Sequence, residues 1–446
     1  MIGALLLASV LHQAPRAFVE NPALAEEGIH FHAALEVEAL ALPSGSLGAN
    51  GMDGYAVVFP RMGVRGGSEF EFELGAPLRL RLLDREPVAD TSDFGGFLRY
   101  QDWDERSDLG QLVRTLRVGR DDGAFLLRAG AYSTWSLGAG WLVNRYNNNL
   151  NPDYHPAGAN VVAYLGPTRV ELFASDVLAG RLFAGEFRLD LGRVLSDDPE
   201  ASDRFLLSLD VAHDFGRAGL RAQELSAASI GFQAGVVRSD TLQLWLQAAA
   251  GARADTLIES VPDFGAAFGV VARGLPSENV DITGRLEARR QGGRFRFGFF
   301  GPSYELARFS GVGLREAPLA EELLPATFSG YGEVAASVRP LADGDLNLSA
   351  SASGEYFVAT GRVDADAAVQ VTLPGKQTVG ELRVILTDVT GRPRYAVATE
   401  LRQRILPALY GVASVGTVHF PVVDGASVRL VRGFTAGLGV GVDFDR

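Results

Sequence analysis

From Phe434 to Phe444 the chain alternates strictly. Phe434, Ala436, Leu438, Val440, Val442 and Phe444 fall on one side of an extended strand, and Thr435, Gly437, Gly439, Gly441 and Asp443 on the other. An apolar face bounded by aromatics and backed by a small, polar face suits a strand between lipid and water. The two phenylalanines are ten residues apart, so the strand between them rises about 33 Å. Tilted by roughly 40°, it covers about 25 Å, the height of the apolar band of a transmembrane barrel. The same aromatic spacing recurs from Tyr410 to Phe420 and from Phe205 to Phe215.

Composition supports this reading. A soluble chain of 446 residues would divide into two or more domains, whereas a closed barrel grows by adding strand pairs to one sheet. Hydrophobic residues make up 47% of the chain, but the mean hydropathy of +0.09 is too low for a bundle of membrane helices. It fits strands with every second residue toward lipid. The apolar run Ile2–Leu11 has the length of a signal-peptide core. Residues 1–25 are therefore expected to be a signal peptide and 26–446 a barrel. The absence of cysteine excludes disulfides and thiolate metal sites, and a net charge of −13 argues against nucleic acid as a partner.

Twenty-two segments carry the alternation and predict an all-β fold, one large antiparallel transmembrane β-barrel of 22 strands within a range of 16–22. They include 68–76 and 78–84 as separate strands, and 293–300 as a strand following 278–289. Tight turns are expected at Arg238-Ser239-Asp240, Gln291-Gly292-Gly293, Ala342-Asp343-Gly344 and Pro374-Gly375-Lys376. Counting back from the last strand puts the connections 301–326 and 192–202 at one end of the barrel. It puts 216–224 and 253–262 at the other, where short turns would be expected.

Amphipathic strands, the apolar N-terminal run, the absence of cysteine and a last strand ending at Phe444 resemble Gram-negative outer-membrane β-barrels. The resemblance implies an integral outer-membrane protein and a porin-like architecture. In that family the aromatic is commonly the last residue; here Asp445 and Arg446 follow it.

The inward faces carry the charges that could line a lumen. Glu69, Glu71 and Glu73 share a face, and a hairpin at Gly75-Ala76-Pro77 would set Glu73 opposite Arg79 and Glu71 opposite Arg81. A second ladder is Arg285, Glu287 and Arg289 beside Arg294 and Arg296, with Glu287 opposite Arg296. Glu355, Asp364 and Asp366 form an acidic patch. Such walls either select solutes by charge or zip the barrel together. The segment Asn144, Arg145, Tyr146, Asn147, Asn148, Asn149 to Asp153 and Tyr154 is rich in amides and aromatics. It is either a constriction folded into the lumen or a solvated surface loop.

Catalytic signals are thin. His30-x-His32 offers no third metal ligand, and neighbouring His213 and Asp214 point to opposite faces of a strand. Gly138-Ala139-Gly140 lacks the strand–helix context of a nucleotide site. The expected function is a pore passing small hydrophilic solutes, with outer-membrane lipid around it, no cofactor, no metal and no catalysis. The sequence leaves homo-oligomerisation open. A closed-lumen interaction barrel and an outer-membrane hydrolase are the alternatives.

Overall fold

The computed structural model describes residues 28–445 other than 44–51, 68, 85–96, 122, 152, 197, 199–200, 218–223, 255–262, 278, 310–317, 339–346, 374–377, 392 and 425–426. The expected signal peptide and the turns expected at 342–344 and 374–376 lie outside them. The strands are β1 (Ile29–Pro43), β2 (Met52–Gly66), β3 (Phe70–Gly75), β4 (Leu78–Leu83), β5 (Val113–Gly119), β6 (Phe125–Gly130) and β7 (Gly158–Leu165). There follow β8 (Thr168–Ala174), β9 (Leu182–Asp190), β10 (Phe205–Asp214), β11 (Leu225–Arg238), β12 (Leu242–Arg253), β13 (Phe264–Ser277) and β14 (Val280–Gly293). The last are β15 (Leu324–Val338), β16 (Asn347–Phe357), β17 (Arg362–Thr372), β18 (Thr378–Thr387), β19 (Arg394–Leu406), β20 (Leu409–Asp424) and β21 (Ser427–Asp445).

Antiparallel neighbours join into a ring. It closes where β21 pairs with β1, from His32 opposite Asp445 to Ala41 opposite Ala436. Closure pairs the strands around the ring, as a membrane demands; among the described residues β4 is the exception, its second side carrying only the Leu80–Leu98 bridge. Along β2, Gly66 to Arg61 pair with β3 and Val58 to Gly54 pair with β4. These two segments therefore run in one direction as a single barrel strand, interrupted at Ala76-Pro77. The ring has 20 strands, an even number, as bacterial outer-membrane barrels have.

Two sequence expectations fall here. No hairpin forms at Gly75-Ala76-Pro77, because no residue there takes the positive φ of a tight reversal; Pro77 only removes a ladder donor. Glu73 and Glu71 consequently never face Arg79 and Arg81. Nor is 293–300 a strand, or Gln291-Gly292-Gly293 a turn. β14 continues to Gly293, where φ is +67°, and Gly298 at φ +63° breaks the extended run again. Phe295, Phe297 and Phe299 alternate like a lipid-facing strand but pack inside the lumen.

Removing that extra strand restores the sidedness. The connection 192–202 lies at the end where β1 starts and β21 stops, together with the turns 166–167, 239–241 and 407–408. The connections after β4, β6, β10, β12 and β14 lie at the opposite end, including 216–224, 253–262 and 301–326. Short turns at one end and long loops at the other are the barrel norm.

The lipid face follows the alternation. Leu438 is 70% and Val440 52% exposed, with Phe434 and Phe444 also outward. On β14, Ile282 and Leu286 face out while Asp281, Thr283, Arg285, Glu287, Arg289 and Gln291 face in. Tyr410 departs from the expected aromatic margin: it lies opposite inward Gly441, is fully buried, and its hydroxyl accepts a bond from Arg61.

Candidate functional site

Two connections fold back into the lumen from the long-loop end. Loop A is residues 131–151 and 153–157, and loop B is the described residues 294–309 and 318–323 of the β14–β15 connection. Val143 and Phe300 form a parallel bridge. Asn144 N–H donates to the Phe300 carbonyl at 3.1 Å, and Phe300 N–H to the Leu142 carbonyl at 3.0 Å. Trp135, Leu137, Trp141, Val143 and Tyr146 pack with Phe295, Phe297, Phe299 and Phe300 into an aromatic core. The wall leaves room for it. Ala227, Ala249 and Ala267 line it, and a Cβ on Gly231 or Gly251 would lie 2.4 Å from Trp141 Nε1 or 2.6 Å from Phe295 Cζ. The small inward residues of β11–β13 are thus the complement of a plug that fills one side of the lumen.

Polar latches fix the plug. Arg145 is fully buried with φ +55°. Its guanidinium donates to Asp366 (Nε to Oδ1 2.9 Å, Nη2 to Oδ2 2.5 Å) and Ser351, and lies 3.5 Å from Glu333. Asn144 donates to Tyr331 at 2.7 Å, and Arg285 to the Ala139 carbonyl at 2.6 Å while stacking on Trp141. Tyr146 donates to Glu305, which also accepts from Arg308; Arg308 and Tyr304 both donate to Asp214 on the wall. Burial raises the Tyr146 hydroxyl well above its ordinary pKa, and the Glu305 carboxylate raises it further, so it stays a donor.

Most of the predicted charges are inward and paired. Glu287 takes Arg285 and Arg289, and Arg289 reaches Glu355 at 2.9 Å. Asp364 accepts from Arg362, Glu71 from Arg65, and Glu73 lies near Arg61 and His32. The ladder proposed for Arg294 and Arg296 dissolves: Arg294 pairs with Asp263 and Arg296 with Glu322. Glu69 sits exposed in the β2–β3 turn, and Arg81 lies near Asp84 and over Tyr55. Asn148 accepts from Tyr132 N–H and donates to the Ser175 carbonyl, and Asn147 caps Asn149 N–H. Tyr154 donates to Asp176 and carries Arg181 on its ring.

The other side of the lumen keeps a cavity of about 400 Å³. Loop A forms one wall, through Asn147, Asn149, Leu150, Asn151 and His155. The facing wall is β18–β20, with Glu381, Arg383, Ile385, Ala396, Ala398, Glu400, Ser414 and Val418; Arg79 and Arg114 close one side. Arg383 is 6% exposed, and neither its Nε nor its Nη2 makes a hydrogen bond. Arg114 Nε is likewise without one. Sequence reasoning missed both residues. The signal was present: Leu382, Val384 and Leu386 face lipid, which places Glu381, Arg383 and Ile385 inward.

A charged node joins this cavity to the rim. Asp102, fully buried, accepts from Arg99 and lies 2.9 Å from Arg79 and 3.3 Å from His155 Nε2; Arg99 also reaches Asp153. Burial opposes the Asp102 charge, but Arg79, His155 and Arg99 together hold its carboxyl well below the usual range. Burial pushes the His155 imidazole below its ordinary value, against the pull of Asp102. A depressed histidine favours folding above the unfolded value of about 6.5, and that contribution fades as pH falls toward the folded value. The Asp102 contribution holds above about 3.9 and is lost only in stronger acid. Protection factors over residues 153–157, referred to intrinsic exchange at each pH, are therefore expected to fall below about pH 6.5, and His155→Gln to remove that dependence; over residues 106–112 Asp108, raised by burial to about 7, acts in the opposite sense.

No family model and no curated protein matches this chain. Among solved structures it is similar to OccK11 (OpdR) of Pseudomonas aeruginosa, at 11% identity over 94% of this chain and 96% of that one, TM-score 0.33. It is also similar to OpdK of Pseudomonas aeruginosa with vanillate, at 10% identity over 94% and 99%, TM-score 0.36. A BenF-like porin from Pseudomonas fluorescens Pf-5 matches at 9% identity over 94% and 99%, TM-score 0.34. Likeness at this level carries nothing about solute or mechanism.

Proposed function

We propose that the chain is an outer-membrane pore through which small hydrophilic solutes diffuse, passing between loop A and the β18–β20 wall. The observation that carries this reading is the 400 Å³ cavity inside a closed barrel, lined by amides, hydroxyls and charges. A barrel of 20 strands is too wide for ordinary side chains to fill, and the aromatic plug occupies only one flank. Most lumen charges are paired and hold the wall and plug together. Selectivity falls to Arg383 and Arg114, cavity guanidinium groups with nitrogens left without hydrogen bonds.

Planar-bilayer recording tests this. Discrete conductance steps are expected, and Arg383→Glu should shift the permeability ratio toward cations while leaving the steps intact. An unchanged ratio would remove Arg383 from the path. A folded barrel that never conducts would favour the closed-lumen interaction barrel, for which the dry aromatic core is the supporting feature. For the hydrolase alternative, His213 meets Phe215 edge-on and its Nδ1 lies 2.7 Å from Ser226 Oγ, while Asp214 is taken up by Tyr304 and Arg308 in the plug network.

A further inference from the structure

The barrel wall is uneven. β10–β15 run 10 to 15 residues, but β5, β6, β7 and β8 have only seven, six, eight and seven. A strand needs about 9–11 residues to cross the hydrocarbon core. Across this sector the 3-10 turns Tyr100–Asp102 and Arg106–Leu112 and the loop 175–181 continue the outer face. Leu109 is 50% and Leu112 41% exposed, and Val177 and Leu178 are also bare. Non-helical backbone at membrane depth is tolerated only where it is buried in protein or lines a water-filled cavity.

Residues 97–112 fill the gap above β5. Their sheet connection is slight: Leu98 bridges Leu80 of β4 through two bonds, Arg81 N–H to the Phe97 carbonyl and Arg99 N–H to the Arg79 carbonyl. After Asp102 the segment is the 3-10 turn Arg106–Leu112, in which Gly110 lies close against the His155–Ala157 backbone of loop A. Leu109 and Leu112 face out, while Gly110, Gln111 and neighbouring Val113 line the cavity. Several of its buried polar atoms lack hydrogen bonds, among them Gln101 Oε1, Ser107 Oγ, Asp108 Oδ1 and Gln111 Oε1. The cavity behind it has an apolar side, with Pro77, Val113, Leu150, Ile385 and Val418, as well as Arg114 and Arg383.

We propose that residues 97–112 are a displaceable panel through which the cavity opens sideways into the bilayer, giving passage to an amphiphile with an apolar body and one anionic group. The inference rests on the cavity being a passage. The panel swings about Val113, Leu98 unzips from Leu80, and the Asp102 cluster with Arg79 and His155 relatches it. Lipid then meets the apolar side of the cavity, and Arg383 receives the anionic group.

The chain has no cysteine, so a staple can be introduced cleanly. Leu80 and Leu98 form a non-hydrogen-bonded antiparallel pair, whose Cα atoms stand about 4.5 Å apart, within disulfide reach. A photoreactive benzoylphenylalanine replaces Ile385, or Val418 where the first variant does not fold. The protein is reconstituted in phosphatidylcholine vesicles containing radiolabelled decanoate. The L80C/L98C protein is expected to crosslink decanoate when reduced and to fall to background when oxidised, with ionic conductance equal in both states. Crosslinking that survives oxidation would mean entry by the mouth and would overturn the panel. Absent crosslinking in a conducting reduced barrel would overturn it as well. Loss of conductance in every state would instead strike at the pore itself.

Discussion

Asp366→Ala is expected to raise single-channel conductance and expose loop A to protease. Asp366 is the main counter-ion of Arg145, a guanidinium with no exposed surface in a loop whose other charged contacts, Asp153 with Arg99 and His155 with Asp102, lie at its far end. Removing one partner of a buried pair typically costs about 3–5 kcal/mol, because the remaining charge is left uncompensated. Glu333, 3.5 Å away, offsets only part of that. Arg145 also holds a left-handed φ of +55°, uncommon for a residue with a Cβ, so the latch also holds a strained turn. The cheaper response is for loop A to leave the lumen, which widens the cavity and brings Arg145 to water. Trypsin cleavage at Arg145 and larger current steps should then appear together. Arg145→Met combined with Asp366→Ala removes both charges and should fall back toward the parent in both assays. Asp364→Ala, whose Arg362 partner lies at the plug margin, should change conductance less. Parent-like current and protection in Asp366→Ala would show that aromatic packing, not the ion pair, holds the loop.

Much of the barrel was legible because a period of two with lipid outside leaves little choice of face. Leu438, Val440, Arg285 and Glu287 point where their parity says. The errors share one cause. Alternation reports which residues share a side, not what that side meets. Phe295, Phe297 and Phe299 alternate as a lipid-facing strand would, and Tyr410 has the spacing of a margin aromatic, yet all four are apolar surfaces turned into the lumen. Pro77 likewise marks a break in a strand without saying that the chain goes straight on. Loop A was recognisable by composition as a constriction candidate, but its anchors Asp366, Glu305 and Tyr331 are between about 160 and 220 residues away in sequence, and no local pattern marks such pairs. The glycines opposite the plug explain part of the glycine richness: Gly231 and Gly251 are small because rings lie over them.

That complementarity makes the plug's apolar half testable by volume. Trp141 is fully buried between Arg285, 4.9 Å from its ring, and Phe297, 6.0 Å away edge-on, with Gly231 beneath. Trp141→Ala should loosen loops A and B by about 3–5 kcal/mol, the usual cost of emptying a large aromatic site. The barrel strands are held by their own ladders and should not follow. Hydrogen exchange separates the two: protection is lost over residues 131–148 and 298–307 while β19–β21 stay as in the parent. Gly231→Leu alone should do the same for the opposite reason. Its Cβ would sit 2.4 Å from Trp141 Nε1, and overpacked sites cost about 1–3 kcal/mol. Joined in one chain, the two substitutions return volume to the place from which it was taken. Contacting residues couple by about 0.5–3 kcal/mol, so the double variant should recover part of the lost protection. Single-variant losses that merely add would mean that the ring and the glycine do not share one space.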